Sequence, residues 1–214
     1  MSVIADYQDE LLGGMLTTIQ LSIVTFPLAF VLGVLLSVLR LCPVPLLRAV
    51  GTAYVEVVRN APVLVLIAVI VFGLPEVGLT IPLFTCVVVG LSMYFACYVC
   101  ETVRSGIRSV SVGEIEAARA LGLATSAVFR TVVLPQSLRS MVQPLATIFI
   151  NIVLGSALGA AMGVHELTGT VRSVNLLEAQ PILCFALAGL GYLVMTLTIG
   201  HTAGVIERRV RVVR

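Results

Sequence analysis

Lysine occurs nowhere in this chain, tryptophan is missing too, and charged residues fill only 11% of the 214 positions. The missing lysine excludes an ordinary P-loop nucleotide site, whose lysine reaches the β- and γ-phosphates. The scarcity of charge excludes a soluble domain of this length, because such a domain needs polar residues across its surface. What is present instead is hydrocarbon: 59% of residues are hydrophobic and mean hydropathy is +1.11. That balance suits a bilayer.

A membrane span needs roughly 20 mostly apolar residues, and such stretches lie at 15–39, 81–100, 141–164 and 179–206. A fifth is expected at 49–74, where Glu56 and Arg59 stand three residues apart at its first end and can pair. The predicted fold is therefore all-α, one polytopic transmembrane bundle of about five spans over residues 1–214, with no tandem repeat, low-complexity linker or soluble domain. The 141–164 stretch contains Pro144, Gly155, Gly159 and Gly163. It is expected to be kinked or partly unwound, as is tolerated where neighbouring helices or a water-filled cavity satisfy the backbone.

Five spans put the two termini on opposite sides. All 13 basic residues are arginine, and with the N-terminus outside, twelve of them fall on the cytoplasmic side and only Arg172 falls outside. That arrangement gives cytoplasmic loops their usual excess of positive charge. Asp6, Asp9 and Glu10 with no basic neighbour lack the positive region of a cleavable signal peptide, so the first span is expected to remain in the mature protein.

Between two spans lies EIEAARALGLATSAVFRTVVLP, residues 114–135. Ser111 and Glu114 have the spacing of a capping box, which predicts a helix starting near Val112. Ala117, Ala118 and Leu121 then share one face, Glu116 and Arg119 lie toward the other, and Gly122 stands where a left-handed residue ends a helix. The small-residue face admits another protein surface closely, and the two charged residues can add hydrogen bonds at its rim. A second short helix is expected to stop before Pro135.

Glu116-Ala117-Ala118, Gly122 and Leu134-Pro135 resemble the EAA loop of bacterial ABC importer permeases. The resemblance runs over nearly the whole chain. It implies the type I ABC importer permease fold in the bacterial inner membrane, with Glu116, Ala117, Ala118, Arg119 and Gly122 forming a coupling helix within a cytoplasmic loop at about 105–139. The implied partners are a cytoplasmic ABC ATPase dimer, a second permease subunit, identical or related, and an extracytoplasmic amino-acid-binding protein. Arg59-Asn60-Ala61-Pro62 and Glu101-Thr102-Val103-Arg104-Ser105-Gly106-Ile107 resemble motifs of the polar amino acid uptake class, with Ala61 and Ser105 departing from its usual Thr and Gly. The wording around Tyr54 and Ser105 is most similar to glutamate permeases, so the resemblance favours glutamate or glutamine, with an opine or cystine behind them. Leu154-Gly155-Ser156-Ala157 stands where the class often carries a charged K-D/N-T-S stretch, so charge compensation there would fall to a partner subunit or to the dipoles of a broken helix.

Five helices are few to enclose a gated path, which favours a two-fold dimer with the pathway at its interface. Asn151 and Ser156 are polar groups in mid-membrane and line either that path or a helix–helix hydrogen bond; Glu101 is a third pathway candidate. An ion-coupled carrier or channel for a small hydrophilic solute is the alternative, and a membrane-embedded enzyme using His165 and Glu166 a further one. No catalytic or metal site is expected. His165-Glu166 lacks the second histidine of a zinc protease motif, since position 169 is glycine, and the pair reads as an exposed loop. Cys97 and Cys100 have no second pair to complete a zinc site and read as small apolar packing residues, like Cys42, Cys86 and Cys184. His201 reads as a helix–helix hydrogen bond. Arg208, Arg209, Arg211 and Arg214 read as an anchor to anionic membrane lipid rather than a nucleic-acid site. No cofactor is expected.

Overall fold

In a computed structural model of the chain, residues 6–210 are described, and among them every regular element is helical. This follows from the composition: in hydrocarbon each backbone N–H and C=O must find its partner inside the segment, and a helix achieves that. Helix α1 is Gln8–Leu41, α2 Pro45–Asn60, α3 Val63–Glu76, α4 Leu83–Arg108, α5 Val112–Ala120, α6 Thr125–Val128, α7 Leu134–Gly155, α8 Leu167–Glu178 and α9 Pro181–Val210. The Arg211 and Arg214 expected in the lipid anchor lie outside the described residues.

Four of the expected spans correspond to long apolar helices: α1, α4, the continuous run Thr125–Met162 that contains α7, and α9. The fifth, expected at 49–74, is instead two helices, α2 and α3, bent by 101°. Pro62 supplies the reason. Its ring disfavours the helical conformation for the residue before it, and Ala61 is extended at φ −85°, ψ 143°. At 14 residues, α3 is about 21 Å long, and together with α2 it is long and apolar enough to form one broken span, which keeps the total at up to five. Glu56 and Arg59, both exposed on α2, do not form the ion pair expected of them, because among the described residues the only ion pairs join Glu101 to Arg40 and Arg104.

The expected stop before Pro135 is also absent. Five residues, Phe129–Val133, form a π-turn that passes directly into α7. There the Leu134 N–H reaches the Phe129 carbonyl, and the wider turn accommodates a proline at the start of α7. At its other end α7 tightens into a 3-10 segment, Ser156–Met162, and ends at Gly163 with φ +87°, in line with the unwinding expected there.

α1 packs most extensively on α4. Its buried stripe is Gly14, Thr18, Leu21, Ser22, Thr25, Ala29, Gly33 and Ser37, mostly small residues that let backbones approach, as in membrane helix pairs generally. The main core joins Leu21 and Ala29 to Ile67 of α3, to Val87, Leu91, Phe95 and Val99 of α4, and to Ile148 and Ile152 of α7. A second cluster holds Val153 against Leu167, Val171 and Val174 of α8 and Cys184, Ala188 and Met195 of α9.

A close approach of α1 to α4 lies at Gly33, where an added Cβ would lie 2.5 Å from Val99 Cβ and 2.7 Å from the Ala96 carbonyl oxygen. Gly33→Ala should therefore cost about 1–3 kcal/mol through overpacking, whereas Gly200→Ala, with open space around it, should not destabilise. Thermal unfolding of the two variants in detergent checks this, and equal midpoints would remove the packing argument.

Candidate functional site

Helix α5 protrudes between α4 and the α6–α7 run, and its ends are set by local chemistry. Ser111 is the N-cap residue, as expected, yet its side chain makes no capping bond, so the serine half of the predicted capping box does not form. The Glu114 carboxylate accepts a hydrogen bond from Gln136 Nε2 at the start of α7. The other end follows expectation: Gly122 has φ +83°, its N–H reaches the Arg119 carbonyl at 2.9 Å, and the Leu123 N–H reaches the Ala118 carbonyl at 3.3 Å. This is a Schellman ending, which favours glycine at the left-handed position.

The expected alanine face needs correction. Ala118 is buried with Val110, Val128 and Val133, while Glu116, Ala117, Arg119, Ala120 and Leu121 face outward. Leu121 is 83% exposed. Ala118 thus fixes α5 to its own domain, and the free surface is a small apolar patch of Ala117, Ala120 and Leu121 beside two opposite charges.

A second polar feature follows the membrane helices. On α7 the side chains of Ser140, Gln143, Thr147 and Asn151 are all exposed, three or four residues apart and so on one face. Gln143 Nε2 donates to Glu207 of α9 at 2.8 Å. Beside this stripe α4 and α7 enclose a cavity of about 420 Å³, lined by Glu101, Thr102, Ser105, Gly106, Ser109, Ser140 and Pro144. Glu101 and one residue of the stripe, Ser140, therefore meet at this cavity, and Asn151 stands two turns farther along α7 from Pro144. Ser156 does not join them: it is fully buried and its hydroxyl donates to the Val153 carbonyl at 2.7 Å.

Two residues of this region had been counted for topology or motif alone. Arg40 Nη1 donates to Glu101 Oε1, and Arg104 Nη1 lies 3.6 Å from the same oxygen. The Glu101 to Arg104 spacing of three was a usable signal for one partner; Arg40, sixty-one residues away along the chain, gave none.

The comparisons with known proteins now decide the family. Residues 29–212 match the family described as binding-protein-dependent transport system inner membrane component. The chain belongs to this family. It is 32% identical to the glutamate transport system permease protein GluC of Corynebacterium efficiens over 97% of either chain. It is also 32% identical to the probable glutamine ABC transporter permease protein GlnM of Bacillus subtilis, over 98% of this chain and 97% of that one. Among solved structures, an amino acid ABC transporter crystallised with histidines superposes with a TM-score of 0.91 at 28% identity, covering 96% of either chain. This permease is accordingly the membrane component of an ABC transport system, and ATP hydrolysis falls to a separate subunit. The ion-coupled carrier and the embedded enzyme give way to that finding.

The permease also overturns the reading of His165-Glu166 as an exposed loop pair. His165 is exposed, but Glu166 is 0% exposed. Glu166 Oε1 accepts the Gly169 N–H at 2.8 Å; Oε2 accepts the Thr168 N–H at 3.0 Å, the Tyr192 hydroxyl at 2.6 Å and the Thr18 hydroxyl at 3.4 Å. Thr18 Oγ1 in turn accepts the Leu167 N–H at 3.1 Å. One carboxylate thereby caps the positive end of α8 and ties it to α1 and α9. Sequence reasoning missed this because glutamate is not among the residues that usually cap a helix start.

Glu166→Leu would leave two N–H groups and a tyrosine hydroxyl without their acceptor, at about 1–3 kcal/mol for each buried group. Glu166→Gln retains an acceptor oxygen and should melt between the wild type and the leucine variant. Thermal midpoints in detergent test this, and equal values for the two variants would remove the capping role.

Proposed function

We propose that this permease carries a polar amino acid, glutamate or glutamine, across the inner membrane as one half of a two-fold pair, driven by a cytoplasmic ATPase dimer and supplied by an extracytoplasmic binding protein. The observation that carries the reading is the exposed polar stripe Ser140, Gln143, Thr147 and Asn151 along a helix long and apolar enough to cross a membrane. Polar groups at membrane depth face protein or water rather than lipid. A stripe left open by its own subunit therefore belongs against a second permease or along a wet path. Full-length similarity to permeases named for glutamate and for glutamine supports the substrate class.

On this reading Asn151 and Glu101 line the pathway, while Ser156 acts from behind it by holding the 3-10 break. The α5 end of the bundle lies in the cytoplasm and the N-terminus outside, which places twelve of 13 arginines on the inner side. The ATPase docks on Glu116, Ala117, Arg119 and the exposed Leu121, and its closure moves α5 as a rigid body. Ala118 and Gly122 hold the shape of that body, the first by burial and the second by its left-handed turn.

Two variants test the docking surface in the assembled complex. Glu116→Arg should lose the co-purifying ATPase while the permease still inserts. Gly122→Val places a β-branched residue at φ +83°, where L-residues are strained, and should lose ATP-driven amino acid uptake in proteoliposomes. Normal uptake by Gly122→Val would sink the coupling role of this helix.

A further inference from the structure

We infer that the cavity beside Arg40, Glu101 and Arg104 selects for anionic amino acids, so that the permease favours glutamate over glutamine. This deepens the proposed function and rests on its reading of the cavity as part of the pathway. The argument begins with a charge count. Two guanidinium groups converge on the single carboxylate of Glu101, which leaves one positive charge over. Among the described residues no other carboxylate forms an ion pair with either arginine.

The excess charge is withdrawn from solvent. The side chains of Arg40 and Arg104 are 11% and 16% exposed, and the Nε atom of each is buried with no acceptor. A buried cation without a full set of acceptors is costly. Arg59, at the break between α2 and α3, adds its field to the same carboxylate, so the region is positive beyond the cluster itself. Glu101, at 38% exposure, forms part of the cavity wall, and the hydroxyls of Thr102 and Ser105 in the same wall have no protein partner among the described residues. About 420 Å³ is more than ten times the roughly 30 Å³ share of one water, which gives room for an amino acid with part of its hydration.

Glutamate and glutamine differ little in size, but at neutral pH glutamate carries one net negative charge and glutamine none. Steric fit therefore cannot separate them well. A fixed positive potential beside the cavity can. The surplus guanidinium charge and the free hydroxyl donors suit a second carboxylate, whereas a side-chain amide meets the donors without gaining from the charge.

The test measures binding by the purified permease complex in detergent, without binding protein, using glutamate, glutamine and glutarate as probes and the thermal midpoint as readout. Wild type should bind glutamate roughly tenfold tighter than glutamine, equivalent to about 1.4 kcal/mol, and glutarate should also shift the midpoint. Arg104→Gln should remove that preference and Arg104→Lys should restore it. Since Arg104→Gln removes a buried ion-pair partner, Ser140→Asp provides an independent check: it adds a negative charge to the cavity wall without touching the cluster, and should weaken glutamate by several-fold more than glutamine. Equal binding of glutamate and glutamine by the wild type, no binding of either, or equal losses for both probes in the variants would overturn the inference. ATP-driven uptake by the full complex with its binding protein is measured in parallel. Uptake with no charge preference in the binding assay refutes only the inference, whereas no uptake of any amino acid refutes the transport reading beneath it.

Discussion

In hydrocarbon an unpaired backbone amide has no water to turn to, so a membrane helix can be interrupted only where something else takes up the freed groups. This constraint organises the permease, because its helices are interrupted in three places and each interruption is covered. At Ala61-Pro62 the break between α2 and α3 lies against α4, where Val55, Val58, Cys97 and Cys100 pack together. At Phe129–Val133 a π-turn keeps the helical hydrogen bonding going with a wider ring. At Ser156–Met162 a 3-10 segment leads into α8, whose start is capped by the buried Glu166. The cysteines beside the first break, Cys97 and Cys100, are buried and serve as packing residues.

The unbroken elements supply what the broken ones lack. α1 and α4 approach closely through Gly33, and the hydroxyl of Ser37 on α1 donates to the Cys100 carbonyl on α4 at 2.9 Å. One turn farther on, Arg40 of α1 reaches Glu101 of α4. The same helix pair therefore provides both a close backbone approach and the charged cluster, and the second depends on the first. Arginine can hold that geometry against a carboxylate because only the end of its side chain has to adapt once the two backbones are fixed by small residues.

Most of the architecture was legible in the composition and in the runs of apolar residues, since four of five spans are plain hydrophobic stretches bounded by charge. The bend in the fifth went unread because hydropathy averages over Pro62, whereas the backbone responds to a single proline. Pro135 was misread in the opposite direction: a proline usually ends a helix, but a π-turn can absorb it, and no sequence pattern announces a π-turn. Around α5 the boundaries were readable from Gly122, while the direction of Ala118 was not. A helix nine residues long has small residues on several sides, and only its neighbours decide which of them is buried. The Arg40 and Tyr192 contacts were beyond reach for a simpler reason, as each joins residues far apart in sequence through tertiary packing alone.

The placement of α5 bears on how a force at one end could reach the pathway. α5 is fastened twice to the run that leads into α7, through the Ala118 cluster with Val128 of α6 and Val133 of the π-turn and through the bond from Gln136 of α7 to Glu114. From Gln136 the same helix continues without interruption through Ser140 and Thr147 to Asn151. On the proposed reading, displacement of α5 is therefore carried to the polar stripe along one helix, with Pro144 inside it, rather than by a chain of side-chain contacts. The π-turn between α6 and α7 carries Val133 of that fastening, so it moves with α5. A long helix anchored to its lever at one end and covered at its 3-10 break by the Glu166 cap has two defined ends. It can tilt as a body, which is the motion that alternating access to a path along its face requires.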